Sequence, residues 1–65
     1  MDDVEALRMR VRKLNAQATQ AKMDLHDLSE ELPLNWDRIP DVAARAHDAY
    51  RELVAARAAL AAAGA

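Results

Sequence analysis

The chain is predicted to be all-α, an antiparallel two-helix hairpin that assembles into a four-helix bundle or a larger oligomer. Three observations predict this. Two long segments each carry apolar residues that recur at alternating intervals of three and four, the spacing of a heptad seam. One short, proline-bearing segment separates them, and short connections join antiparallel neighbours. Folding the two segments on each other also sets large residues against small ones, as an interdigitated core requires. With 65 residues the chain is a single domain, 1–65.

The first seam reads Val4, Leu7, Val11, Leu14, Ala18, Ala21, Leu25, Leu28 and Leu32, so the first helix is expected over about residues 3–32. Asp2 is placed to cap it, with Glu5 completing a capping-box-like pair. Pro33 stops it, because a proline disfavours helical geometry at the residue before it. The second seam reads Ile39, Val42, Ala46, Ala49, Leu53, Ala56, Leu60 and Ala63, giving a helix over about residues 37–63. Its start has two readings: a cap by Asn35 or Asp37 with Pro40 inside the first turn, or Pro40 as the first helical residue. Gly64 is the expected stop. The last eleven residues hold eight alanines and are read as helix that frays unless packed.

Folding about residue 36 faces Leu25 with Ala46, Ala18 with Leu53, Leu14 with Ala56, and Leu7 with the region of Ala63. Ala21 against Ala49 is the exception, a layer of two small residues where the helices approach closely or a partner fills the gap. Of the residues behind the 52% hydrophobic content, 16 are alanine, so few large side chains remain to be buried, at about 1.5–3 kcal/mol each. Ordering costs about 1.5 kcal/mol per residue. An isolated hairpin is therefore expected near zero stability, held up by self-association or by a partner. With no cysteine, disulfides and thiolate metal sites are excluded.

A net charge of −2 gives no general bias toward nucleic acid or an anionic membrane. No apolar run approaches the ~20 residues of a membrane span, and the acidic start Met-Asp-Asp-Val-Glu lacks the features of a signal peptide; the expected location is the cytoplasm. Along the first helix, Arg8, Arg10, Arg12 and Lys13 precede Asp24, Asp27, Glu30 and Glu31. That order opposes the helix dipole, which favours acids at the N-terminus and bases at the C-terminus. Antiparallel pairing of two copies of this helix would match basic end to acidic end. A second apolar line on each helix, with Tyr50 and Val54 side by side, points to an association surface. The residues expected at the oligomer interface are Ala18, Ala21, Ala49, Tyr50 and Val54.

Histidine and carboxylate four apart, as in His26 and Glu30, can hold a divalent metal. His26, Asp27, Glu30 and His47 form the candidate set, with the two histidines facing outward on one flank and completed across an interface. No cofactor is otherwise implied. Catalysis has no support: there is one glycine, no phosphate-cradling loop, and no nucleophile with an evident base. Trp36, the single tryptophan, sits in the connector with Leu34. It either lids the bundle end over Leu32 and Ile39 or stands exposed beside the acidic helix end as a binding hot spot.

The run Lys22-Met23-Asp24-Leu25-His26-Asp27-Leu28-Ser29-Glu30-Glu31-Leu32-Pro33, followed by Asn35-Trp36 and preceded by Lys13-Leu14 and Ala18-Thr19-Gln20, resembles the Rop-like family of small helical hairpins encoded among nitrogen-fixation genes. The resemblance covers most of the first helix and the turn and continues loosely to about Leu53; Pro40 and the alanine-rich tail depart from it. It implies an all-helical oligomer and a process, nitrogen fixation, more than a mechanism. The expected function is a non-catalytic accessory protein docking on a nitrogenase-related protein through Asp24, Asp27, Glu30, Glu31 and Trp36. Two alternatives are a metal-binding helical oligomer and, after the family's RNA-binding namesake, an RNA-binding four-helix bundle. The second would use Arg8, Arg12, Asn15, Thr19 and Lys22. The acids that follow directly, and the lack of an aromatic residue on that face, weigh against it.

Overall fold

A computed structural model describes residues 3–64. Helix α1 spans Asp3–Glu31 and α2 spans Ile39–Ala62, joined through a 3-10 turn over Trp36–Arg38. The expected cap at Asp2 lies outside the described residues. At 1.5 Å per residue a 29-residue helix is about 44 Å long, which accounts for a rod extending 48 Å along its axis and 14 Å across.

The core is the two seams zipped together. Among the described residues the buried ones are Leu14, Ala18, Leu28, Val42, Ala46, Leu53 and Ala56, and each is a seam position. Leu14, Ala18, Leu53 and Ala56 form one cluster, with Val11, Ala49 and Tyr50 packed against it, so the layers pair large with small as expected. Beside them, Arg57 Nη2 donates to Asn15 Oδ1 at 3.3 Å across the helices, in the same register. The seams open at both ends. Leu32 and Ile39 are exposed, as is Ala63, so the expected layer of Leu7 with Ala63 does not form a buried contact.

Ala18 shows how tight the middle is. At 1% exposure it has no room for a larger side chain, and Ala18→Leu is expected to cost about 1–3 kcal/mol by overpacking. Ala21 is only half-buried, so Ala21→Leu should cost clearly less. Thermal melts of the two variants that fall together would show that the two layers have the same space.

Of the two readings of the second helix start, the one with Pro40 inside the first turn holds, but neither Asn35 nor Asp37 caps the helix, which begins at Ile39 after Arg38. Helix α1 stops at Glu31, one residue short of Leu32, as Pro33 dictates; the Leu32–Pro33 peptide bond is cis. Asn35 is not a side-chain cap; it adopts φ 59°, ψ 27°, a left-handed conformation that asparagine tolerates better than most residues. The Leu34 amide donates to the Glu31 carbonyl at 3.0 Å and the Arg38 amide to the Asn35 carbonyl at 2.9 Å, so backbone bonds close the connector. Pro40 falls in the first turn of α2, where its missing N–H leaves nothing unpaired. The alanine-rich tail is helical to Ala62, and Gly64 follows at φ 81°, its amide donating to the Ala61 carbonyl at 3.1 Å.

Candidate interaction site

The exposed chemistry divides into a tip and two flanks. At the tip, Leu34 is 70% exposed and Trp36 67% exposed. The lid reading of Trp36 is therefore corrected: a turn closed by backbone bonds, with Asn35 left-handed, leaves the indole outside. Leu32 and Ile39 are exposed at the same end and, with Leu25, Leu28 and Ser29, line a small cavity of about 170 Å³. Sequence reasoning placed Leu32 and Ile39 in the core; they surface because no further turn of helix lies above them.

The acidic end of α1 stands beside this tip. Its last turn holds no basic residue, so the dipole works against the carboxylates there. Gln20 Nε2 donates to Asp24 Oδ1 at 2.9 Å, and Asn35 Nδ2 donates to Glu31 Oε2 at 3.4 Å. Asp27 and Glu30 meet His26, at 3.8 Å from Nδ1 and 3.3 Å from Nε2. Among the described residues none of these four acids pairs with a lysine or arginine. The acidic helix end and the exposed tryptophan thus lie at the same end of the hairpin, both on its surface.

His26 has both ring nitrogens near carboxylates of its own helix, whereas His47 Nδ1 lies 3.4 Å from Asp48 Oδ1. Among the described residues no group of three or more histidine, cysteine or acidic side chains converges as a metal site. The structure therefore does not unite His26, Asp27, Glu30 and His47 within one chain. Calorimetric titration of the monomer with zinc is expected to show no stoichiometric uptake; uptake appearing only in an assembled form would revive a site shared between copies. Ser29 Oγ donates to the His26 carbonyl at 2.7 Å, a local helix bond that accounts for this serine beside a histidine.

The residues expected at an oligomer interface are split. Ala18 is buried inside the hairpin. Ala21 and Ala49 line one flank with Gln17, Gln20, Asp24 and Arg45. Tyr50 and Val54 line the other, where a groove of about 550 Å³ runs between the helices. Leu25, expected in the core, is only half-buried and forms part of that groove's floor. The seam gave no warning of this, because Leu14 faces an alanine in the same way and is buried. Lys22 lines the same groove, so α2 brings an aromatic, Tyr50, to the flank that α1 alone left without one.

Fold and surface together define a small all-helical hairpin whose charged and aromatic residues lie on its outside. The chain belongs to the Rop-like family, whose model matches residues 2–65. It is 51% identical over 51 residues to a Frankia alni protein named for its position, "UPF0437 protein in nifX-nifW intergenic region", covering 78% of this chain and 62% of that protein, less than two thirds of its length. UPF0437 proteins of Azorhizobium caulinodans and Sinorhizobium fredii are 46% and 48% identical, covering 88% and 95% of this chain and 83% and 92% of theirs. No solved structure gives a significant match. Neither helix is long and apolar enough to cross a membrane.

Proposed function

We propose that this chain is a non-catalytic, self-associating accessory protein that docks on a component of the nitrogen-fixation machinery. The carrying observation is the tip: Trp36 and Leu34 stand exposed at the end of the hairpin where α1 carries carboxylates that, among the described residues, no lysine or arginine pairs with. A desolvated tryptophan supplies binding energy, and the acids steer encounter toward a basic partner surface. The nitrogen-fixation setting is supported by the name of the Frankia alni relative, which puts that protein in a nifX-nifW intergenic region.

Affinity capture from nitrogen-fixing cells, followed by mass spectrometry, tests this. The wild-type chain is expected to retain nitrogen-fixation components, and Trp36→Ala to lose them at a cost of about 2 kcal/mol or more. Retention of the same components by a folded Trp36→Ala chain would remove the tip from the docking surface. Capture that never includes a nitrogen-fixation protein would overturn the assignment of process.

Self-association fits the flank of Ala21 and Ala49. By heptad position Arg10 and Lys13 share that side of α1 with Asp24, Asp27 and Glu31, so two copies of α1 running antiparallel bring opposite charges together. Arg10→Glu with Lys13→Glu should weaken assembly in sedimentation equilibrium, and adding Asp24→Lys with Asp27→Lys should partly restore it. An unrecovered quadruple variant would mean that the charge order serves another purpose.

A further inference from the structure

The flank of Tyr50 and Val54 differs from the rest of the surface in both shape and charge. Its groove has an almost wholly apolar floor of Leu25, Ala43, Ala46, Tyr50 and Val54, and Val54 is 63% exposed. The rim is cationic, with Lys22 on one side and Arg51 on the other. Arg12 and Arg57 extend the positive charge along the same flank by heptad position. Among the described residues Lys22, Arg12 and Arg57 have no carboxylate partner, and Arg51 has only Asp48, at 3.5 Å and exposed.

The line Ala43, His47, Tyr50, Val54 covers three turns of α2, about 16 Å at 1.5 Å per residue. A furrow of that length between two antiparallel helices matches the ridge of a third. Its occupant must bring apolar side chains for the floor and negative charge for the rim. A second copy presenting this same flank brings the apolar side chains but not the negative charge, because an isologous contact sets lysine and arginine against lysine and arginine. We propose that the groove docks an acidic amphipathic helix of a partner protein. Its apolar side chains would seat on Leu25, Tyr50 and Val54, and its carboxylates would meet Lys22 and Arg51. This surface is separate from the tip, and its failure would leave the tip reading standing.

The test uses the full chain and two fluorescent synthetic helices. Both carry leucine at heptad positions a and d; one has glutamate and the other lysine at e and g. The glutamate helix is expected to bind saturably, more weakly as salt rises, while the lysine helix does not. Lys22→Glu with Arg51→Glu should weaken the glutamate helix by at least about tenfold and admit the lysine helix. Val54→Ser, at an exposed position, should weaken binding while circular dichroism stays unchanged, and Trp36→Ala should leave it unaffected. Absence of saturable binding, or equal binding of both helices, overturns the proposal. So does a Val54→Ser chain that merely shifts from oligomer to monomer in sedimentation, which would give the groove to a second copy. Preferential, salt-sensitive binding of a structured RNA that is lost in Lys22→Glu would give the rim to nucleic acid and also overturn it.

Discussion

Leu53→Ala is expected to abolish the cooperative thermal transition of this chain at micromolar concentration. Leu53 is 3% exposed and packs in the cluster of Leu14, Ala18 and Ala56. Two of those neighbours are alanines, whose short side chains cannot extend into the space that leucine leaves. Leucine-to-alanine changes at such sites cost about 2–5 kcal/mol, the upper part of the range where the cavity cannot collapse. A hairpin with so few large buried side chains has little stability in reserve. Val54→Ala is the control: one residue along but exposed, it should shift stability by no more than about 0.5 kcal/mol. Melts followed by far-ultraviolet circular dichroism separate the two. Indistinguishable melts would mean that the Leu53 layer does not hold the fold.

Replacing Asp27, Glu30 and Glu31 together by lysine is expected to move two readouts in opposite directions. Partner capture should be lost, because the patch beside Trp36 changes from acidic to basic and the steering charge reverses. Helix stability should hold or rise. The last turn of α1 contains no basic residue, and each cation introduced near a helix C-terminus is worth about 0.3–1 kcal/mol. The interactions removed are weak: Asp27 and Glu30 contact His26 at 3.8 and 3.3 Å with side chains about two-thirds exposed, and Glu31 only accepts from Asn35 at 3.4 Å. Exposed pairs of this kind contribute at most about 1 kcal/mol. A triple variant that unfolds would assign the acids to structure. One that folds and still captures the same partners would move docking off the tip.

The residues behind both expectations were legible in the sequence. Heptad spacing alone identified Leu53 as core and Asp27 as surface, because a period of three and four can bury only one stripe of a helix. The register was legible too. Pairing Ala18 with Leu53 and Leu14 with Ala56 follows from a short connector and the rule that large meets small, and the buried cluster has those members. Pro33 similarly announced the end of α1 within one residue.

What the seams did not announce is how completely each position is covered. Leu25, Leu32 and Ile39 belong to the same pattern as Leu28 and Val42, yet they emerge partly or largely exposed. Burial depends on what stands opposite and beyond, and that is set by the partner helix and by where the bundle ends. The turn was equally opaque, since Trp36 could lid or protrude until Asn35 took its left-handed conformation and backbone bonds closed the connector. The division of the flanks came last. Lys22 and Tyr50 lie far apart in sequence and meet only across the hairpin. Periodicity within each helix, with a short connector and the pairing of large with small residues, therefore determined the fold, its core stripe and its register. Contacts between helices decided which apolar and charged residues share a surface, because no single helix carries both walls of a groove.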